Sequence, residues 1–328
     1  MHPAFSVIFL TTLIGAGQGL FLALYTGQVY TLFHVLSVQG DSDFYAWGSV
    51  IALVFLVGGL VASFFHLGHP ERAWRSAAQW RTSWLSREVL VLPAFMGCVL
   101  LYGAAHWFGW NKPLFTLGET LQVDFIMAVG ALGTLLCFAL FISTGMIYAC
   151  LRFLQEWHSP LTVINFILLG GASGFTLATG YAALAAPGLV GFYGKWALII
   201  TLLAFVSRLA SLVRNCKLKA KPKSTLQSAI GIRHNQIAQK AQGAMGGSFN
   251  TREYFHGKPL SLLRSVKWLF VVLVFALPLP LLAAGLTSGS AGALLLAFMV
   301  QYAGLIAERW FFFAQANHPQ NLYYQVIS

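Results

Sequence analysis

Charge is the scarcest property of this chain. Of 328 residues only 9% are Asp, Glu, Lys or Arg, and the acids number nine; soluble domains carry about 25% charged residues. A water-soluble globular fold is therefore excluded, in line with a hydrophobic content of 58% and a mean hydropathy of +0.71. Disorder is excluded as well, because disordered segments are poor in aromatics and this chain is 15% aromatic. Cysteine is also sparse: Cys98, Cys137, Cys150 and Cys216 form no C-x-x-C pair, and three lie in apolar stretches. Free buried thiols are expected, and no metal or iron–sulfur site held by this chain's own cysteines. Neither a basic leader nor a small-residue cleavage site follows Met1-His2-Pro3-Ala4-Phe5, so the first apolar stretch is expected to be a retained helix.

What the chain does have is apolar length. Runs bounded by polar, Pro or Gly residues occur at 5–27, 46–66, 88–108, 124–151, 161–182, 194–213, 268–286 and 290–312. Each is near the roughly 20 residues that a helix needs to cross a bilayer, and none shows the short alternating segments of a barrel. The expected fold is an all-α integral membrane protein, one anchor domain over residues 1–328 with eight transmembrane helices in a bundle. Small residues recur inside the runs, as in Gly15-Ala16-Gly17-Gln18-Gly19 and Gly170-Gly171-Ala172-Ser173-Gly174. Between membrane helices such residues allow backbones to approach closely. Trp and Tyr gather at run ends, for example Tyr45 with Trp47 and Trp107 with Trp110, as an interfacial belt requires.

Formal net charge is +11, from 20 Lys and Arg against the nine acids. Assigned alternately to two sides, the connections 33–45, 109–123, 183–193 and 287–289 are nearly free of basic residues, and only Lys112 and Lys195 fall there. The other 18 basic residues lie on the opposite side: Arg72, Arg75, Arg81, Arg87, Arg152, Arg309 and twelve from Arg208 to Lys267. The positive-inside rule then puts both termini, the second connection and the long basic loop 214–267 in the cytoplasm. That loop opens on Lys217-Leu218-Lys219-Ala220-Lys221-Pro222-Lys223, suited to anionic lipid or to a soluble partner. At this length it is too short for a catalytic domain, so substrate chemistry must come from another subunit.

Ionisable residues at membrane depth are costly and are functional candidates by default. They are densest in Ser63-Phe64-Phe65-His66-Leu67-Gly68-His69-Pro70-Glu71-Arg72-Ala73-Trp74, followed by Ser83-Trp84-Leu85-Ser86-Arg87-Glu88. His66 is expected to point into the bundle before Gly68 and Pro70 end the helix, with Glu88 returning to the same depth. A His, an Arg and a Glu at one membrane interface suit a small polar head on an apolar tail, of which a quinone is the leading example. Its carbonyls need donors, and its two protons can pass through an imidazole and a carboxylate. Helix caps and head-group pairs would use the same residue types.

These two stretches resemble the S-x-x-H-L-G-x-P-x-R-A and S-x-L-S-x-E signature of the DMSO reductase anchor subunit family, eight-helix membrane subunits of molybdopterin enzymes. The likeness continues through Thr144-Gly145-Met146-Ile147-Tyr148-Ala149-Cys150-Leu151-Arg152-Phe153. The segments Asn250-Thr251-Arg252-Glu253-Tyr254-Phe255-His256-Gly257 and Glu308-Arg309-Trp310 onward to Gln325 resemble the branch of the family that serves sulfite dehydrogenases. The resemblance implies a bacterial inner-membrane anchor for a molybdopterin catalytic subunit and an iron–sulfur electron-transfer subunit, with a site for ubiquinone or menaquinone. By that resemblance His66 and Glu88, with Arg72 nearby, are the quinone and proton-transfer residues, and Ser83, Ser86 and His69 support them. Partner docking is expected at Arg75, Arg81, Arg87, Arg252 and Arg309. The charge asymmetry favours a cytoplasm-facing, sulfite-oxidising complex over the quinol-oxidising arrangement of the DMSO-reducing branch.

Two rival readings remain. Facing histidines ligate b-type haem in many membrane proteins, and His34 with His106 is the pair nearest in depth on the outer side; haem is not favoured, and no other metal site is expected. A secondary transporter would need inverted repeats and spans broken near the midplane. Pro93, Pro278 and Pro280 could mark such breaks, but residues 1–160 and 161–328 show no mutual repeat.

Overall fold

A computed structural model describes residues 4–36, 41–117, 121–218, 225–234, 236–237 and 260–318. Among them, eight helices are long and apolar enough to cross a membrane. We number the helices α1 (Phe5–Leu32), α2 (Ser42–Phe64), α3 (Trp84–Trp107), α4 (Phe125–Ala149), α5 (Pro160–Ala185), α6 (Val190–Cys216), α7 (Leu226–Ile230), α8 (Leu260–Val271), α9 (Pro278–Ser288) and α10 (Ala291–Ala314). Helices α8 and α9 form one span through the π-turn Val272–Ala276. Pro278 supplies no backbone N–H, so the regular ladder cannot run through it, and the wider turn absorbs the mismatch. Val274 and Phe275 in that turn are buried, which makes the break part of the packed bundle.

Helix starts follow capping chemistry. The side chains of Ser83, Asp124, Ser159 and Ser290 accept from the backbone N–H groups of Ser86, Met127, Leu161 and Ala293 respectively, satisfying donors that the first turn leaves free. Asp124 also ends a hairpin, β1 (Pro113–Leu117) with β2 (Leu121–Asp124). Two of the four cysteines, Cys98 and Cys137, are buried, whereas Cys150 and Cys216 are exposed at the ends of α4 and α6. Cys150 belongs to an apolar run but caps the end of α4, and Cys216 lies beyond the run 194–213, next to Lys217.

Helices α1 and α5 form the axis of the bundle. In each, 72% of the most apolar stretch is buried, against 28–44% in the other six spans. Their two glycine-rich runs face each other: a Cβ on Gly19 would overlap the carbonyl oxygen of Gly170, and one on Gly174 would overlap the Gly19 backbone. Backbone contact of this kind is what small residues at both surfaces permit. One end of the bundle gathers the start of α1, the α4–α5 connection and the end of α10 into a single cluster of Ile8, Leu154, Trp157, Phe166, Phe312 and Phe313. There Trp157 Nε1 donates to the carbonyl of Phe312 at 2.8 Å, and Arg214 at the end of α6 donates to the carbonyl of Gln155 at 3.1 Å. The α2–α3 connection joins the same ends of its helices, and we call this end the basic face.

Candidate functional site

The α2–α3 connection lies at the surface. Helix α2 stops at Phe64, Phe65 caps it, and His66 falls in the following turn, exposed. This corrects the expectation that His66 points into the bundle: the helix ends two residues before it, so helical phase no longer sets its direction. Partial burial still lowers its pKa below the usual 6.5, because desolvation disfavours the imidazolium. Pro70 then opens a 3₁₀ helix, Pro70–Gln79. On its surface Glu71 lies 3.1 Å from His69 Nδ1 and 3.7 Å from Arg72 Nε, so these two expected site residues pair with a neighbouring acid.

Arginines and tryptophans fill the rest of this stretch, exposed at Trp74, Arg75, Trp80 and Arg81 and half-buried at Trp84 and Arg87. Arg75 lies over Trp74, Arg81 over Trp80 and Arg87 over Trp84, with centroid distances of 5.6, 5.3 and 4.1 Å. Arg87 also donates to the carbonyls of Trp80 and Arg81 at 3.0 and 2.8 Å. Such cation–aromatic pairs stiffen a basic strip while leaving its apolar rings outward; Trp74 is 71% exposed. Ser83 serves as the α3 cap, and Ser86 is buried beneath it.

Glu88, one turn into α3, is buried, and Thr144 of α4 donates to its Oε1 at 2.5 Å. It borders a cavity of about 20 Å³ together with Thr11, Gln18, Thr144, Ser173 and Arg309. Gly15 and Gly170 form another part of the wall, so the glycine contact of α1 with α5 shapes this space. Neither His66 nor Arg72 lines it. The three residues expected to converge are thus split into an exposed turn and an enclosed carboxylate. A volume near 20 Å³ holds one water, which suits proton exchange; a quinone ring does not fit inside.

Behind the cavity lies an ion cluster. Glu308 places Oε1 2.7 Å from Arg208 Nε and Oε2 2.9 Å from Arg309 Nε, and the three residues are only 1–4% exposed. The Arg309 guanidinium sits 3.9 Å over the Phe166 ring, and that of Arg208 lies 5.4 Å from the centre of Phe270. Desolvating each ion costs several kcal/mol, which the shared carboxylate and aromatic faces offset. Arg309, expected to dock a partner, is instead buried in this chain, because α10 turns it inward onto Glu308 and Phe166. Arg252, the other docking residue outside the second connection, lies outside the described residues.

Thr144, Arg208 and Glu308 escape sequence reasoning as site residues. The signal for two of them is present, since Arg208 and Glu308 fall within the apolar runs 194–213 and 290–312; by position, Arg208 counts with the basic loop that follows. Of the two haem candidates, His34 is exposed past the end of α1 with φ of 55°. His106 is buried on α3, stacked on Tyr45 and edge-on to Tyr102, each at 4.7 Å. No group of three or more His, Cys, Asp or Glu that could hold a metal ion occurs among the described residues.

Comparison with known proteins accords with this architecture. The family model described as "DMSO reductase anchor subunit (DmsC)" matches residues 1–324. A protein of Allochromatium vinosum, named as a subunit of sulfite dehydrogenase, is 60% identical over 328 residues, covering 100% of both chains. With eight apolar spans, a match of this length and a relative this similar, the chain belongs to the DMSO reductase anchor subunit (DmsC) family.

Proposed function

We propose that this chain is the membrane anchor and quinone-reducing subunit of a molybdenum/iron–sulfur oxidoreductase that oxidises sulfite on the cytoplasmic side of a bacterial inner membrane. The substrate class is carried over from the name of the Allochromatium relative. Cytoplasmic placement of the basic face follows from 18 of 20 basic residues lying on that side and from the positive-inside rule. Electrons from sulfite would reach this chain through an iron–sulfur partner docked on the same face.

The observation that carries the quinone reading is the enclosed Glu88, hydrogen-bonded by Thr144 beside a water-sized cavity. A quinone is the electron-accepting substrate and needs two protons for its two electrons. Since the ring does not fit the Glu88 cavity, we place it outside, on the face that carries His66. His66, neutral at pH 7 by the direction of its shift, can donate one N–H to a carbonyl. Glu88, beside its water-sized cavity, can exchange protons through water.

The test compares Glu88→Gln and His66→Ala in the assembled complex, with quinone and with a soluble dye that takes electrons from the partner subunits. Loss of a general acid–base group costs roughly 10²- to 10⁴-fold, so quinone turnover should collapse while dye turnover stays at the wild-type rate. Full quinone turnover in both variants would refute the assignment.

A further inference from the structure

The Glu88 cavity has a second neighbour. On the other side of Arg309 lies a smaller space of about 10 Å³ bordered by Asn165, Arg208, Ser211, Glu308 and, at its outer end, Glu156 and Arg214. Arg309 lines both spaces. Helix α5 contributes Asn165 and helix α6 Ser211, joined by an Nδ2 to Oγ hydrogen bond of 2.7 Å. Apolar side chains would be the inexpensive filling at this depth, yet polar atoms line the space. Among the described residues, the buried Asn165 Oδ1 and Arg208 Nη2 have no hydrogen-bond partner. A buried polar atom left in that state costs about 1–3 kcal/mol, and ordered water is the usual remedy where the site is polar and about 10–15 Å³ is free.

We propose that protons reach Glu88 from the basic face along this line, past Glu156, between Asn165 and Ser211, and around Arg309 into the Glu88 cavity. This inference rests on the quinone reading above and adds the route and side of proton supply. The outer end lies nearest the surface, where Glu156 and Arg214 are half-buried. Arginine does not release its proton at physiological pH, and both Glu308 oxygens are engaged by arginines. Water is therefore the carrier, and the ion cluster holds the passage open and fixes Arg309 between its two halves. For each quinone reduced to quinol, two electrons arrive from the iron–sulfur partner and two protons from water on the basic face. The two electrons and two protons together make the two O–H bonds of the quinol.

Filling the outer space without touching the ion cluster tests the route. Asn165→Leu in the full membrane complex should lower quinone turnover roughly tenfold and raise its solvent deuterium isotope effect, with dye turnover unchanged, and Asn165→Ser should restore most of the loss. Ser211→Val narrows the same passage with a smaller change in shape, and is decisive if the leucine variant does not assemble. Quinone turnover and isotope effect both at the wild-type level in a filled, assembled variant would overturn the route. If Glu88→Gln abolished quinone turnover at the same time, the quinone reading would survive that failure; if Glu88→Gln were also fully active, both would fall.

Discussion

Thr144 Oγ1 donates a 2.5 Å hydrogen bond from α4 to the Glu88 carboxyl on α3. Each side chain is buried, so the hydroxyl both orients the carboxyl and satisfies one of its oxygens. Thr144→Val keeps the shape and removes the donor. The cost of leaving a buried acceptor unpaired is about 1–3 kcal/mol. Quinone turnover should fall by about ten- to a hundredfold while dye turnover holds, and Thr144→Ser should recover most of it. A valine variant with wild-type quinone kinetics would show that the hydroxyl has no part in placing Glu88.

The crossing of α1 with α5 should tolerate no side chain at Gly174. A Cβ on Gly174 would overlap the Gly19 backbone, and neither backbone can give way without parting the two most buried helices. Overpacking costs about 1–3 kcal/mol even where flexible side chains can move, and here the obstacle is main chain. Gly174→Leu should abolish accumulation of the complex in the membrane, measured by quantitative blotting, whereas Gly191→Leu, with no atom within 4 Å of a new Cβ, should accumulate normally.

His66 gives a pH signature. Desolvation lowers its pKa from 6.5, so the neutral ring persists as pH falls through 6.5 and becomes charged only below that value. If the neutral ring is what binds the quinone carbonyl, the acidic limb of the quinone turnover profile lies below pH 6.5. His66→Gln should remove that limb. A limb unchanged in the glutamine variant would assign it to another group.

Sidedness can be read from thiols. Cys150 and Cys216 are exposed on the basic face, at the ends of α4 and α6. With the other cysteines replaced, a membrane-impermeant maleimide should label either one in inside-out vesicles and spare it in intact spheroplasts. The opposite pattern would reverse the proposed orientation.

Much of the architecture is legible in the sequence. All eight spans can be found from apolar run length, because hydrocarbon tolerates no unpaired backbone and a helix is the segment that pairs its own. The glycine runs announce a close crossing, though not that the two meet each other. The direction of His66 is not legible, because the run 46–66 does not reveal that α2 ends at Phe64. Nor is the burial of Arg309, because its distance from the chain end says nothing about which way α10 turns it.

Composition and the order of apolar runs are enough to determine an eight-span membrane protein with its basic residues concentrated on one face, since both follow from how a bilayer sorts local segments by hydropathy and charge. Tertiary structure alone decided that Glu88 meets Thr144 rather than His66, and that Arg208 and Arg309 share Glu308 in the interior. Those pairings join residues 56 and 100 positions apart along α3 with α4 and α6 with α10. They depend on how the helices rotate and cross once packed, which local hydropathy and charge do not encode.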